Sequence, residues 1–422
     1  MPSIAVVGTG YVGLTTGACF SHLGHQVTCV DIDAEKVGRL STGEIPILED
    51  GLSQLVREGL DDRRLSFTVD VAAATRNAEF VFLCVPTPQR ANGEADLTFV
   101  EQAAHEIGPH LRRDAVVVNK STVPVGSTRV VERAMRRSDV HVVSNPEFLR
   151  EGTAVHDFLN PDRVVVGSDD QAAAIRVADL YSATGAPVVL TDAASAEMIK
   201  YAANAFLATK LSFVNAVAAI CEGVGADVRD VVRGMGYDRR IGHDFLKPGP
   251  GWGGSCFPKD TSALVRISEL AGYDFSLLNG VIDANTRQFE RVTDKITDGL
   301  PPDATVAVWG LTFKALTDDL RDSPALEVVG RLLKRGFKVR AFDPTVNLAL
   351  AAFPEVRLCE SGLEACEGAS VLAVLTEWEH FRWIEPTEVA SVLRELRVVD
   401  GRNLLDRSQW QQAGFRYSGI GR

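Results

Sequence analysis

A cysteine, a lysine and an aspartate lie close together in the segment SCFPKD, residues 255–260. Pro258 falls where the first turn of a helix is expected, so Cys256 is predicted to lie at a helix N-terminus. A helix N-terminus and a nearby lysine both stabilise a thiolate, which makes Cys256 a candidate nucleophile. Asp260 follows about one helical turn later, where its carboxylate can manage a proton or a water beside the sulfur.

Glycine and proline are dense immediately before this cysteine, in the segment KPGPGWGGSC, residues 247–256. Such a segment is predicted to be a loop between helices. Cys256 is then either a buried cysteine in a glycine-rich turn or a reactive one beside a backbone that approaches a ligand closely. The density of glycine and proline favours the second interpretation.

Lys200 and Asn204 are four residues apart on a predicted helix, so they share one face of it. Together they could donate hydrogen bonds to an oxygen that develops negative charge, as in an oxyanion hole. Taken alone, the same pair is more typical of an ordinary solvated helix edge.

Two further loops follow predicted strands, KSTVPVG at residues 120–126 and NPEFLREG at residues 145–152. Ligands of a doubly wound sheet bind beyond the carboxyl ends of its strands. Thr122 and Glu151 are therefore expected near the reacting carbon. Capping of the strand ends is the alternative, and it fits Asn145 at least as well.

The motif GTGYVG, residues 8–13, follows a predicted strand and opens a helical pattern. Gly8 permits a tight turn, Gly10 lets the backbone approach a pyrophosphate, and Gly13 allows the helix to pack closely on the strand. Asp31 comes 18 residues after Gly13, at the end of the next strand. An aspartate there accepts hydrogen bonds from an adenosine ribose and repels a 2′-phosphate, so NAD is predicted rather than NADP.

The elements that must position these residues alternate between short β-branched runs and helical stretches. Such alternation predicts a doubly wound, parallel sheet with helices on both faces. Pro301 and Pro302 precede a second region with the same alternation. The predicted strands are residues 4–7, 26–30, 79–85, 115–119, 140–144 and 163–166, then residues 305–309, 338–342, 369–375 and 397–399.

Residues 194–223 form a different pattern, rich in alanine, with no proline and no glycine before Gly223. A helix of that length spans about 45 Å. Its apolar faces predict a dimer surface, although burial within one chain would give the same pattern. The predicted fold is α/β, with two doubly wound Rossmann-like domains joined by a long central helix. The predicted domains are residues 1–192, 193–300 and 301–422.

Composition narrows the partners that this chain can have. The formal net charge of -12 and the pI near 5.3 argue against nucleic acid. The sequence has no recognisable signal peptide and no run of about 20 consecutive apolar residues, so a cytoplasmic protein without a membrane partner is expected. Seven scattered cysteines without a CxxC pair favour neither disulfides nor zinc, and the histidines lack ligand spacing, so no metal is expected.

Together these motifs resemble the UDP-glucose 6-dehydrogenases of the UDP-glucose/GDP-mannose dehydrogenase family. The likeness covers essentially the whole chain and includes GTGYVG, KSTVPVG, NPEFLREG, EMIKYAANAFLATKLSFVN, GWGGSCFPKD and GLTFK followed by DDLR. The resemblance implies that Cys256 is the nucleophile and that Lys200 and Asp260 are acid/base and oxyanion partners. Asn204, Thr122 and Glu151 would support them.

The implied activity is a four-electron oxidation of UDP-glucose to UDP-glucuronate with two NAD molecules. The Cys256 thiolate would capture the intermediate aldehyde as a thiohemiacetal, and the second hydride transfer would leave a thioester. Hydrolysis of the thioester would release the uronate and make the reaction effectively irreversible.

The resemblance also implies two sets of binding residues and a functional homodimer, in which Arg240 reaches the substrate of the neighbouring subunit. The C-terminal domain would hold the UDP half. The cofactor set is Gly8, Gly10, Tyr11, Val12, Gly13, Asp31, Lys36, Thr87, Thr122, Glu151, Lys259 and Arg321. The substrate set is Phe148, Leu149, Glu151, Lys200, Asn204, Arg240, Phe245, Lys247, Gly253, Phe257, Phe313, Lys314 and Arg402.

Three other functions remain open. A GDP-mannose or UDP-N-acetylhexosamine 6-dehydrogenase would use the same chemistry, but Arg240 and the segment Phe245-Leu-Lys247 favour UDP-glucose. A two-electron hydroxyacid dehydrogenase needs the lysine and the asparagine but no thiol, so Cys256 argues against it. A non-catalytic NAD-binding sensor would not require the intact catalytic set.

Overall fold

A computed structural model describes residues 2–90, 93–347 and 349–422. The chain divides into two compact units. The N-terminal unit comprises Met1–Ala203 and Ser262–Ala271, and the C-terminal unit comprises Asn204–Thr261 and Gly272–Arg422. Each unit is built on one sheet.

The sheet of the N-terminal unit has eight strands in the order β3-β2-β1-β4-β5-β6-β7-β8. Strands β1, β4, β5, β6 and β7 are buried almost throughout, as expected for strands covered on both faces. The strands are β1 Ser3–Val7, β2 Gln26–Val30, β3 Leu65–Thr68, β4 Phe80–Leu83, β5 Val116–Asn119, β6 His141–Ser144, β7 Val164–Gly167 and β8 Val188–Thr191.

The predicted parallel sheet is confirmed, with one antiparallel pair. Strands β6 and β7 are antiparallel, with Ser144 opposite Gly167, and every other pair in this sheet is parallel. A buried β-branched run has the same pattern in either direction, so the sequence could not reveal this reversal.

Helices cover both faces of this sheet and create two hydrophobic clusters, which confirms the doubly wound arrangement. Several begin at an aspartate cap: Asp33 accepts from the Lys36 N–H at 3.0 Å, and Asp70 accepts from the Ala73 N–H at 2.9 Å. The helices are α1 Tyr11–His22, α2 Ala34–Ser41, α3 Leu52–Asp61, α4 Val71–Arg76, α5 Thr98–Ile107, α6 Ser127–Met135, α7 Ala154–Leu159 and α8 Gln171–Asp179.

The long helix is confirmed as α9, Ala193–Val224, with 32 residues. Within the described part of the chain it is the one helix long and apolar enough to cross a membrane, judged by length and composition only. Polar residues such as Lys200, Asn204 and Lys210 interrupt this helix, so it contains no run of about 20 consecutive apolar residues. The core helix of a soluble protein passes the same test, and α9 carries the buried polar residues Glu197, Lys200 and Asn204.

The C-terminal unit contains a second α/β layer structure, as predicted. Its six strands are all parallel, in the order β11-β10-β9-β12-β13-β14. These strands are β9 Thr305–Trp309, β10 Lys338–Phe342, β11 Arg357–Leu358, β12 Val371–Val374, β13 Arg397–Asp400 and β14 Arg416–Gly419. The remaining helices are α10 Val228–Gly236, α11 Phe257–Leu270, α12 Ser276–Thr297, α13 Pro324–Lys334, α14 Gly362–Cys366, α15 Pro386–Val392 and α16 Arg407–Gln412.

Candidate active site

The glycine loop after β1 has the geometry of a pyrophosphate-binding turn. Gly8 has a φ of +96°, and a Cβ on Gly13 would overlap the carbonyl oxygen of Gly8, so helix α1 starts directly against the turn. A Cβ on Gly10 would meet nothing within 4 Å, and Gly10 caps α1 without a side-chain hydrogen bond. The open space at Gly10 and the uncapped helix N-terminus fit a phosphate group.

Asp31 lies just beyond β2, beside this loop. Its carboxylate accepts from the Thr9 N–H at 2.9 Å and from the Thr9 hydroxyl at 2.5 Å, and Lys36 Nζ lies 3.1 Å away. Burial acts to raise the pKa of Asp31, but these bonds, an N–H from Asp33 and the Lys36 charge hold that pKa below its usual value. The carboxylate is thus ionised, as a ribose acceptor requires.

Tyr11 has a partner that the sequence did not reveal. Its hydroxyl bonds to the buried carboxylate of Glu49 and accepts from the Gly152 N–H at 2.9 Å. Glu49 also accepts from the Gly152 N–H, at 2.6 Å. Burial and the Glu49 carboxylate raise the pKa of Tyr11. The glycine loop is thereby tied to the end of the NPEFLREG loop, next to Glu151.

The KSTVPVG loop is held at its start. The buried Lys120 ammonium donates to Asn145 Oδ1 at 3.1 Å and to the Tyr181 hydroxyl at 3.2 Å. The Thr87 hydroxyl donates to the Thr122 carbonyl at 2.9 Å, so two predicted site residues lie together. Asn145 also donates to the Val165 carbonyl at 2.7 Å, which supports the capping role left open for it.

Glu147 is a buried site residue that the sequence motifs did not indicate. Lys200 Nζ lies 2.9 Å from Glu147 Oε1 and donates to the Glu147 carbonyl at 2.7 Å. Burial acts to raise the pKa of Glu147, but Lys200, the Leu149 N–H and Lys120 lower it overall. Glu147 is the third residue of the NPEFLREG motif. A lysine on the apolar helix α9 needs a carboxylate partner when it is buried, and this need was the one sequence feature that could have pointed to Glu147.

The Phe148 ring lies near two cations of the N-terminal unit. The Arg163 guanidinium is 3.6 Å from the ring centroid and Lys200 Nζ is 5.4 Å from it. Burial lowers the pKa of Arg163. Leu149 follows, partly buried, with its N–H bonded to Glu147 Oε2 at 2.6 Å. These contacts fix the loop that carries the predicted sugar-pocket residues.

Cys256 immediately precedes α11, as predicted. Its carbonyl accepts from the Asp260 N–H at 2.9 Å, and its sulfur lies 3.6 Å from the Ser255 hydroxyl. Asp260 is fully buried and accepts from Asn204 Nδ2 at 2.6 Å and from Lys259 Nζ at 2.6 Å. Asn204 therefore donates to Asp260, whereas Lys200 pairs with Glu147.

The glycines before Cys256 have structural neighbours of their own. A Cβ on Gly251 would overlap the Phe289 ring, and one on Gly253 would overlap the Asp322 carbonyl. A Cβ on Gly254 would lie 2.9 Å from the Phe313 ring. Close packing against these groups accounts for the glycines, so their density alone is not a sign of a ligand.

The predicted UDP residues of the C-terminal unit lie partly together. Arg402 donates to the Phe313 carbonyl at 2.9 Å and to the Leu375 carbonyl at 2.8 Å. Lys314 Nζ lies 5.4 Å from the Phe313 ring centroid. Arg321 is mostly exposed and paired with Asp319 at 2.6 Å.

The remaining predicted substrate residues lie in the segment before α11 or, for Phe257, at the first residue of α11. Phe245 and Phe257 have ring centroids 6.3 Å apart, and Lys247 is exposed. Arg240 is 89% exposed and paired with Asp238 at 2.6 Å. Its exposure leaves the guanidinium available to a group outside its own chain.

A dinucleotide turn, a paired lysine and a cysteine at a helix N-terminus define a Rossmann-type dehydrogenase class. Sequence models of the UDP-glucose/GDP-mannose dehydrogenase family match the chain in three segments. They are the NAD binding domain at residues 2–184, the central domain at residues 194–287 and the UDP binding domain at residues 307–407. The chain belongs to the UDP-glucose/GDP-mannose dehydrogenase family, and the prediction of NAD as its cofactor is confirmed.

Two curated relatives and one solved structure are similar over nearly their full lengths. UDP-glucose 6-dehydrogenase TuaD of Bacillus subtilis is 46% identical, covering 100% of this chain and 94% of the relative. UDP-glucose 6-dehydrogenase of Pseudomonas aeruginosa is 46% identical, covering 99% and 97%. A UDP-glucose dehydrogenase structure from Pyrobaculum islandicum has a TM-score of 0.93 and 36% identity, covering 100% and 98%.

Proposed function

We propose that this chain oxidises UDP-glucose to UDP-glucuronate with NAD, in two steps at one cysteine. The observation that carries the proposal is Cys256 at the start of α11, followed one turn later by the buried Asp260. A dehydrogenase that stops at an aldehyde or ketone has no need of a nucleophile. The relatives named UDP-glucose 6-dehydrogenase support UDP-glucose as the substrate.

The cofactor would be held by Gly8, Gly10 and Gly13 at its phosphates and by Asp31 at its adenosine ribose. Tyr11, Val12 and Lys36 would complete that end, and Thr87, Thr122, Glu151, Lys259 and Arg321 would serve the rest. When bound, NAD supplies the hydride acceptor for each of the two oxidations.

The side chains of this protein perform the remaining steps. The Cys256 thiolate adds to the aldehyde carbon and forms a thiohemiacetal, whose oxidation gives a thioester. Lys200, held by Glu147 in the N-terminal unit, presents a positive charge to the oxygen that becomes negative. Asp260, positioned by Asn204, manages the proton of the thiol and of the water that hydrolyses the thioester.

We divide these roles among three functional domains. Residues 1–192 bind NAD, residues 193–300 carry the long helix and the Cys256 loop, and residues 301–422 bind the UDP half. The substrate residues are Phe148, Leu149, Glu151, Arg240, Phe245, Lys247, Gly253, Phe257, Phe313, Lys314 and Arg402, with Lys200 and Asn204. We assign no metal, and we place the protein in the cytoplasm without a nucleic-acid or membrane partner.

A homodimer through α9 is part of the proposal. Phe206, Phe213 and Ile220 are spaced seven residues apart on α9 and are 65%, 53% and 63% exposed. A seven-residue apolar repeat keeps one helix face directed at another helix. The exposed repeat therefore supports a second copy of this chain as its partner.

The dimer is tested by the molar mass of Phe213→Glu in solution, with Trp383→Glu as a control at another exposed aromatic residue. We expect a monomer only for Phe213→Glu. Mixing Arg240→Ala with Cys256→Ser then tests whether Arg240 serves the partner. Mixed dimers should regain activity in the subunit that keeps Cys256, and no recovery would reject that role.

The substrate assignment is tested by mass spectrometry of the product and by kcat/KM on a panel of nucleotide sugars. UDP-glucose should give UDP-glucuronate with the highest kcat/KM. A preference for GDP-mannose or a UDP-N-acetylhexosamine would reject UDP-glucose while retaining the mechanism. No product from any nucleotide sugar would favour a non-catalytic NAD sensor.

A further inference from the structure

Glu197 is a buried carboxylate of α9 to which the proposed mechanism gives no role. It is 2% exposed. Its Oε1 accepts from the Thr128 N–H at 3.0 Å and from the Thr128 hydroxyl at 2.8 Å, and its Oε2 accepts from the Gly126 N–H at 2.6 Å. Burial raises the pKa of Glu197, against the opposite effect of these bonds, so the carboxylate is kept at a desolvation cost.

These contacts cap the N-terminus of α6, whose own N-cap residue has no side chain to do so. Helix α6 begins at Ser127 after Gly126, which has a φ of +94° and no side chain to accept from the first free N–H groups. A carboxylate at a helix N-terminus satisfies those groups and interacts favourably with the helix dipole. Here it comes from another helix, so it fixes α6 to α9.

The fixed point lies at the end of the loop that carries Thr122. Ser121 holds the start of the loop by donating to the Val85 carbonyl at 2.7 Å, and Thr87 donates to Thr122 itself. Glu197 holds the other end at Gly126. Since Glu197 is three residues before Lys200 on α9, one helix sets the position of both Lys200 and the Thr122 loop.

We propose that Glu197 is a positioning residue that places Thr122 relative to Lys200 for hydride transfer. This inference rests on the proposed function, because it assumes that Thr122 lies near the reacting carbon. Glu197 acts through the Gly126 and Thr128 amides and does not itself touch the reacting atoms. A displacement of about 1 Å at a catalytic group can cost on the order of a hundredfold in rate.

The test is a double-mutant cycle between Glu197→Ala and Thr122→Ala, measured as kcat and KM. We expect Glu197→Ala to lower kcat by about tenfold or more with a smaller change in either KM. In the Thr122→Ala background the same change should lower kcat by less than about threefold, because the group it positions is gone. Glu197→Asp, which keeps a carboxylate on a shorter side chain, should recover part of the rate.

Asp170→Ala is the matched control. Asp170 caps α8 by accepting from the Ala172 and Ala173 N–H groups at 2.9 and 3.1 Å, so its loss removes a comparable cap elsewhere. We expect it to leave kcat unchanged. An equal fall in kcat for Asp170→Ala, or additive losses in the cycle, would mean that Glu197 only stabilises the fold.

Hydrogen exchange separates this inference from the proposed function. Glu197→Ala should speed exchange of the Gly126 and Thr128 amides, with no change at the Ala172 and Ala173 amides. Unchanged exchange at Gly126 and Thr128 would overturn the inference even in an active enzyme. If the wild-type protein oxidises no nucleotide sugar, the proposed function fails whatever the exchange result.

Discussion

The two sheets of this protein begin in the same way and end with different binding chemistry. Both contain six strands in the order third, second, first, fourth, fifth and sixth. Gly8 follows the first strand of one sheet with a φ of +96°, and its N–H donates to Val30 at 2.8 Å. Gly310 follows the first strand of the other with a φ of +90°, and its N–H donates to Phe342 at 2.8 Å.

The residues after these glycines differ. Gly10 and Gly13 of the first loop correspond by position to Thr312 and Ala315 in the second. Without a second and third glycine, backbone cannot approach a pyrophosphate or pack a helix so tightly. One strand order thus accommodates a dinucleotide in one sheet and, as proposed, a uridine nucleotide in the other.

The aspartates that follow the second strand of each sheet also differ, in their exposure and in their hydrogen-bond partners. Asp31 is partly exposed and bonds to Thr9, Asp33 and Lys36. Asp343 is buried, and its two oxygens accept from Leu311, Thr312, Thr345 and the Trp378 indole N–H. Because both oxygens of Asp343 accept hydrogen bonds from the protein itself, this carboxylate has a structural role. The carboxylate of Asp31 is still accessible to a ligand.

A substitution at Gly13 should have the strongest effect on the difference in cofactor binding between the two sheets. Gly13→Val places a side chain onto the Gly8 carbonyl, so NAD affinity should fall by about a hundredfold or more. The measurement is an NAD titration, with circular dichroism to confirm folding. Ala315→Gly is the control at the corresponding position, and it should leave NAD affinity unchanged. NAD binding by Gly13→Val with wild-type affinity would contradict the assigned turn.

The two aspartates should fail in different ways. Asp343→Ala leaves several buried donors unpaired, so the free energy of unfolding should fall by about 3 kcal/mol with NAD affinity retained. Asp31→Ala should weaken NAD binding by about tenfold to a hundredfold, with a smaller loss of stability. Chemical unfolding and NAD titration of both variants distinguish these outcomes. Equal behaviour of the two variants would remove the contrast.

The fifth strands of the two sheets, β5 and β13, end at buried ionisable residues, a lysine in one sheet and an aspartate in the other. Lys120 follows β5, and burial lowers its pKa to about 8. Asp400 ends β13, and burial raises its pKa. Both shifts disfavour the charged form. As pH rises, the folded state should therefore gain stability from Lys120 and lose stability from Asp400.

For Lys120, the unfolded chain binds the additional proton between pH 8 and the usual lysine pKa of about 10.4. The stability of the wild type should therefore rise with pH in that window, relative to Lys120→Met. For Asp400, the folded chain keeps the proton above the usual aspartate pKa of about 3.9. Stability should fall as pH rises through that region, relative to Asp400→Asn. Parallel curves for either pair would show that its pKa is unshifted.

The smallest effect is expected at Lys36, whose ion pair with Asp31 is partly exposed. Such pairs contribute about 0–1 kcal/mol, so Lys36→Ala should weaken NAD binding by about threefold at most. Titrations at low and high salt check this, since a screened pair should lose its difference at high salt. A tenfold loss at both salt concentrations would mean that Lys36 contacts the cofactor directly.

The sequence predicted the buried strands of both sheets and missed four others. The missed strands, β3, β8, β11 and β14, all lie at sheet edges. Edge strands are covered less completely, as shown by the exposed residues of β8, so they lack the continuous pattern of a buried strand. Position in the sheet therefore decided which strands the sequence could reveal.

The candidate site also contains features that the sequence could predict and features that it could not. The placement of Cys256 and Asp260 at the start of α11 and the shape of the glycine turn were predictable, because both depend on local spacing. The partners of Lys200 and Tyr11 were not, because Glu147 and Glu49 approach them only through tertiary folding. Glu197 was missed for the same reason, since the helix that it caps begins 70 residues earlier.

The proposed function requires that one thiol, Cys256, supports two successive oxidations. The most direct measurement counts NADH formed per UDP-glucose consumed, for the wild type and for Cys256→Ser. We predict two NADH per UDP-glucose for the wild type and a collapse of turnover for Cys256→Ser. One NADH per UDP-glucose, or an undiminished rate without the thiol, would contradict it.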